Sequence, residues 1–139
     1  MAEKCAGASL LNGRLDFAVV GNLFYTAGGN MQDGIYLAQF VVGGDHGHGV
    51  AVVRGTKVSG GDSAYWWEGS FSEVSADSVS AELVVRVHTS GVRSVFGFFN
   101  EFPLNLQGRK QGDAYQLTGT TPAAPGRTMQ LNLRLLKAD

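Results

Sequence analysis

The stretch that decides the fold is Val79-Ser80-Ala81-Glu82-Leu83-Val84-Val85-Arg86-Val87-His88-Thr89. Its apolar and polar side chains alternate, and Val84 is the one interruption. Successive side chains of a β-strand point to opposite faces of a sheet, so this period of two predicts a strand with one buried face. The residues predicted to share that face are Val79, Ala81, Leu83, Val85 and Val87.

Similar patterns recur on both sides of this stretch, from Asp33 onward. Alternating or continuously apolar runs predict further strands at 34–42, 49–54, 65–69, 92–99, 104–106, 114–119 and 129–135. Glycine-rich segments supply the reversals between strands. We therefore predict turns at Gly43-Gly44, Gly47, Gly55, Gly60-Gly61, Gly91, Gly108, Gly112 and Gly126.

About eight short strands without a convincing amphipathic helix predict an all-β fold built as an antiparallel meander. Closing the meander into a barrel removes its exposed edges, whereas a two-sheet sandwich is the alternative. The aromatic residues predicted to fill the interior are Tyr36, Phe40, Tyr65, Trp67, Phe71, Phe96, Phe98 and Tyr115.

Residues 1–30 do not share the strand pattern and are predicted to be an extension before a β-barrel domain at 31–139. Met31 stands directly before the first predicted strand. One hypothesis is that Met31 is the natural start of the protein. The alternative is that the extension is genuine and packs on the barrel.

Composition favours some classes of function over others. The chain has 139 residues and a net charge of -1, so it lacks the excess of basic residues with which proteins neutralise DNA phosphates. Cys5 is the single cysteine and is predicted to be an unpaired thiol in the reducing cytoplasm. We expect a cytoplasmic protein that does not bind DNA directly.

Two sets of polar residues are candidates for chemistry. His46 and His48 point to one face of a strand and would begin a metal site with Asp45 or Glu101. A structural metal site needs four ligands and a catalytic site three, so we predict no metal site and no cofactor.

The second set is His88, Asp62 and Glu101, which would form the site of an enzyme if the fold brought them together. Ser63 beside Asp62 lacks the surroundings of a nucleophile elbow. Asp62 is instead predicted to bond to the backbone of its own turn. We therefore expect no catalytic residues.

Trp66 is the candidate for a protein contact. In the run Tyr65-Trp66-Trp67 neighbouring residues point to opposite faces, so Tyr65 and Trp67 are predicted to be core. Trp66 then faces outward with Ala64, Glu68 and Ser70. An exposed tryptophan is a plausible anchor for a partner, and coverage by the extension or by a loop is the alternative.

Several short motifs resemble the GrlR-like family of type III secretion negative regulators over residues 31–137. The motifs that carry the resemblance are Asp33-Gly34-Ile35-Tyr36, Gly60-Gly61-Asp62-Ser63, Gly69, Val87-His88 and Gly108. The resemblance implies a lipocalin-like β-barrel that forms a homodimer. It also implies repression of transcription by sequestering a helix-turn-helix activator, without contact to DNA.

The resemblance also implies a partner-binding position. Some members of the family carry an acidic run after the glycine that matches Gly69, and Glu73 is the residue here that matches it by position. Asp77 is a nearby acidic residue. The predicted partner-binding residues are therefore Glu73, Trp66 and Asp77. The alternative function is a small barrel that binds an apolar ligand or lipid.

Overall fold

A computed structural model describes residues 3–4, 7–8, 31–97 and 99–139 of the chain. The chain divides into two compact units, Met1–Met31 and Gln32–Asp139. In the first unit β1 (Glu3–Lys4) and β2 (Gly7–Ala8) pair in parallel. None of the described residues belongs to a helix with the length and apolar character needed to cross a bilayer.

The second unit is a closed barrel of eight strands. Each strand pairs antiparallel with the next, and the last pairs with the first. The strands are β3 (Gly34–Val42), β4 (Asp45–Arg54), β5 (Lys57–Gly61), β6 (Tyr65–Glu73), β7 (Ser78–Val87), β8 (Glu101–Gln111), β9 (Ala114–Thr120) and β10 (Met129–Ala138). The predicted all-β antiparallel meander and its closure into a barrel are confirmed, and the sandwich alternative is set aside.

Aromatic side chains fill the interior and contact one another edge to face. The ring centroids of Phe40 and Trp67 are 6.2 Å apart, and those of Tyr36 and Tyr115 are 6.4 Å apart. Such pairs stabilise a core beyond the burial of their area. Every predicted interior aromatic within the described residues is buried. Phe98 lies outside the described residues.

The strand predicted at 92–99 is wrong. The described part of this segment is a loop with one isolated bridge, between Ser94 and Gly97. The Ser94 hydroxyl accepts N–H bonds from Phe96 and Gly97, so the segment satisfies its backbone locally instead of joining the sheet. The eighth strand is β5 instead.

Several glycines predicted to form turns lie inside strands, at Gly47, Gly60-Gly61 and Gly108. At Gly60 and Gly108 the reason is crowding on the concave side of the sheet, whereas Gly47 leaves room for the Phe40 ring. A Cβ at Gly108 would overlap the Gln116 carbonyl oxygen, and one at Gly69 would overlap that of Glu82. These strand glycines therefore provide close approach between backbones, whereas Gly43, Gly55 and Gly112 have the positive φ expected of turns.

Replacement of Gly69 by alanine is expected to destabilise the barrel by about 2 to 3 kcal/mol, because backbone atoms of Glu82 and Leu83 must move to make room. The matched control is Gly44→Ala, since a Cβ at Gly44 meets nothing within 4 Å. The control should change stability by less than about 0.5 kcal/mol. Urea unfolding measures both, and equal effects would contradict this account of closure.

Candidate functional site

The outer face of β6, β7 and β8 carries the candidate partner-binding surface. Strand register places Trp66 beside Arg86, and Arg86 beside Glu101. The next outward row holds Glu68, Val84 and Pro103. We call this the Trp66 surface, and its members are Trp66, Glu68, Glu82, Val84, Arg86, Glu101 and Pro103.

Arg86 organises the Trp66 surface. Its Nη1 donates to Glu68 Oε2 at 2.7 Å, and its Nε donates to Glu101 Oε1 at 3.2 Å. The guanidinium carbon lies 5.1 Å from the centroid of the Trp66 ring, within cation–π range. Three contacts on one guanidinium hold the indole in place while 39% of Trp66 remains exposed. The prediction that Trp66 faces outward is confirmed.

The Trp66 surface has a negative balance of charge. Its carboxylates are those of Glu68, Glu82 and Glu101, and its cation is Arg86. Three negative charges against one positive charge leave an excess of two negative charges. Such a surface attracts positively charged groups and repels negatively charged ones.

Ala64 does not share the outward face predicted for it, because it is only 2% exposed. It precedes β6, and its carbonyl oxygen accepts N–H bonds from His88 and Thr89. These bonds fold the segment after β7 over Ala64. Glu68 and Ser70 are exposed as predicted.

The three predicted partner-binding residues do not lie together. Trp66 is near the start of β6 and Glu73 is its last residue, so about 23 Å of strand separates them at about 3.3 Å per residue. Glu73 is on the inward row of β6, whereas Asp77 is exposed in the turn before β7. The Trp66 surface therefore forms without Glu73 and Asp77.

Glu73 occupies a half-buried position at the end of the barrel where Tyr36 and Tyr115 also point inward. Burial raises the pKa of Glu73 to about 7, and the positive charge of Lys110 partly opposes that rise. Burial also raises the pKa of Tyr115, with smaller contributions from Tyr36 and Glu73. Glu73 is thus a titrating group of the interior, which its position in the sequence does not reveal.

The two carboxylates among the candidate metal ligands already form ion pairs with arginine side chains. Asp45 forms an ion pair with Arg93 at 2.8 Å, and Glu101 is bound to Arg86. His46 and His48 are exposed on the outer face of β4. No group of three His, Cys, Asp or Glu residues suited to a metal ion occurs within the part of the chain that the structure describes.

The candidate catalytic residues have structural partners. The Asp62 carboxylate accepts N–H bonds from Ala64 and Tyr65, at 2.9 and 2.8 Å, which confirms its predicted role in the turn. His88 Nε2 lies 3.0 Å from the backbone carbonyl oxygen of Asp62, not from its carboxylate. Glu101 belongs to the Trp66 surface.

Sequence reasoning identified Trp66 but missed the residues that hold it. The available signal was the outward position of Glu68, Arg86 and Glu101 on consecutive strands. Register decides which of these residues are neighbours, and alternation does not give register.

The structure thus defines a class of protein: a closed antiparallel β-barrel with an exposed tryptophan set among carboxylates. A family model described as the T3SS negative regulator GrlR matches residues 31–133. The chain belongs to the GrlR family of type III secretion negative regulators, so the predicted resemblance is confirmed. Membership supports a negative regulatory role. No curated protein matches the chain.

Replacement of Glu73 by glutamine tests its buried position. The folded state binds the Glu73 proton more tightly than the unfolded state, so the contribution of Glu73 to stability falls as pH rises from about 4.5 to about 7. Glu73→Gln should therefore match the wild type near pH 4. It should exceed the wild type by about 1 to 2 kcal/mol at pH 8, after allowance for solvent screening. Urea unfolding across this range measures the difference, and a variant that is less stable at pH 8 would contradict the assignment.

Proposed function

We propose that the protein is a cytoplasmic negative regulator of transcription that acts by protein–protein interaction. It sequesters an activator linked to type III secretion and does not bind DNA itself. Membership of the GrlR family supports the regulatory role. The observation that carries the proposed mechanism is the exposed Trp66 ring, held by Arg86 among carboxylates.

The chemistry of the Trp66 surface suits a DNA-binding protein as the partner. Activators that bind DNA carry clustered Lys and Arg residues, and the excess of negative charge around Trp66 complements such a cluster. Aromatic side chains are enriched among the residues that dominate binding energy at interfaces. Trp66 would contribute most of the binding affinity. The carboxylates would orient the partner and increase its rate of association; they are those of Glu68, Glu82 and Glu101.

A binding role is favoured over catalysis by the pairings of the polar residues. Asp62 caps its own turn, and Glu101 is bound to Arg86. We infer that the protein is not an enzyme. The alternative of an apolar-ligand carrier stays a prediction.

Trp66→Ala is expected to weaken binding of the activator by about 30-fold, as for an interface residue that contributes about 2 kcal/mol. The control is Val74→Ala, because Val74 is 71% exposed in the turn at the far end of β6. The assay uses the helix-turn-helix activator encoded with the same secretion system. Titration calorimetry measures its affinity for each variant, and equal losses for both variants would contradict the proposed surface.

A gel-shift assay then distinguishes sequestration from DNA binding. The wild-type protein should release the activator from its promoter DNA without shifting free DNA. The mechanism would be refuted if the Trp66→Ala variant released the activator from promoter DNA at the same concentrations as the wild type. It would also be refuted if the protein alone shifted free DNA.

We also propose that the protein forms a homodimer. Apolar side chains of β3 and β4 support this, because they face outward in adjacent pairs, Ile35 with Val52 and Leu37 with Val50. Val50 is 43% exposed. Strands with apolar side chains on both faces are typical of strands that are covered on both sides.

Val50→Lys is expected to raise the dimer dissociation constant by at least about tenfold, because it places a charge in an apolar contact. Gln107→Lys is the control, since Gln107 is exposed on β8. Analytical ultracentrifugation over a range of concentrations measures both. A monomeric wild type, or equal effects of the two variants, would overturn this proposal.

A further inference from the structure

A groove with a volume of about 410 Å³ lies on the outer face of β9, β10, β3 and β4. Its volume falls within the range of small-molecule sites, about 300 to 1,000 Å³. In the closed order of strands it lies apart from the Trp66 surface, which is on β6 to β8. We call it the amide groove, after its polar side chains Gln39, His46, His48, Gln116, Gln130 and Asn132.

Strand register arranges these side chains in a row. Gln116 pairs with Asn132, Asn132 with Gln39, and Gln39 with His48. Each pair is a direct cross-strand neighbour, and the row crosses four strands over about 14 Å. Gln130 and His46 stand in the next outward row, on either side of Val41.

The amide groove offers hydrogen bonds mainly from neutral amide groups. Among the described residues that line it there is no Asp, Glu, Lys or Arg. An amide side chain provides both donors and acceptors, and a neutral imidazole provides one of each. Within the described residues, these six side chains have no hydrogen-bond partner in the protein. Their hydrogen-bonding capacity is therefore not used by any residue that the structure describes.

This chemistry selects among classes of ligand. The lining offers a charged ligand no Asp, Glu, Lys or Arg side chain as a counter-charge, and an apolar ligand would desolvate the amides without compensation. Binding of a peptide by strand addition requires a free edge, and the closed barrel leaves none beside these strands. A ligand with many neutral hydroxyl groups matches the groove, because each hydroxyl both donates and accepts.

We propose that the amide groove is a binding site for a neutral saccharide. The row of Gln116, Asn132, Gln39 and His48 would bond successive hydroxyl groups of a short oligosaccharide. This site is separate from the surface proposed to bind the activator, so each of these two proposals can fail without the other. It borders the Leu37 and Val50 pair proposed for the dimer contact, which occupies the next outward row of β3 and β4.

A glycan array probed with the labelled full chain identifies the neutral saccharide that binds, and titration calorimetry then gives its affinity. The Gln39→Ala, Asn132→Ala double variant should bind that saccharide at least tenfold more weakly. Gln107→Ala is the matched control, because it removes an exposed amide on β8, outside the groove. Gln107→Ala should bind like the wild type.

Side-chain amide signals in NMR spectra of the wild type provide a test that needs no variant. Addition of the saccharide should shift the NH₂ signals of Gln39, Gln116, Gln130 and Asn132 and leave that of Gln107 unchanged. The proposal would be overturned if the protein bound charged glycans only or bound no neutral glycan. It would also be overturned if the double variant bound the saccharide as tightly as the wild type.

Discussion

Closure of the barrel depends on glycines that face its interior and allow neighbouring backbones to approach closely. At Gly69 and Gly108 the space that a Cβ would need is occupied by a carbonyl oxygen of the adjacent strand. At Gly60 the same space borders the Val50 carbonyl oxygen and the indole of Trp67, so this large ring packs where the strand has no side chain. Strongly curved strands leave little room on their concave side, and glycine is the residue that requires none. Without these contacts the sheet would keep free edges, which attract other chains.

A closed barrel confines recognition by its wall to outward side chains, and strand order distributes them. β3 and β7 are four strands apart in a closed order of eight, so they lie on nearly opposite sides. The aromatic and acidic side chains on β6 to β8 are therefore separated from the amides on β9, β10, β3 and β4. One small domain can in this way present the Trp66 surface and the amide groove on different parts of its wall.

The role predicted for Glu73 from the sequence differs from the position that it occupies in the structure. The family resemblance predicts Glu73 as a partner-binding residue, yet Glu73 lies on the inward row of β6, where its charge adds to the rise in the pKa of Tyr115. The outward carboxylates come instead from Glu68, Glu82 and Glu101 on three strands. A cluster assembled across strands presents the same charge as a cluster within one segment, because electrostatic attraction depends on distance in space.

The sequence by itself determined the strand faces, because alternation of side chains is a local property of an extended backbone. It also determined the burial of the aromatic core, since this follows from where apolar residues recur. Only the tertiary structure decided that Lys57–Gly61 is a strand and that 92–97 is a loop. It also decided that Gly60 and Gly108 lie within curved strands and not in turns. The contact of Arg86 with Trp66 and with two carboxylates was likewise decided at this level. These outcomes depend on register and curvature, which arise from contacts between segments distant in the chain.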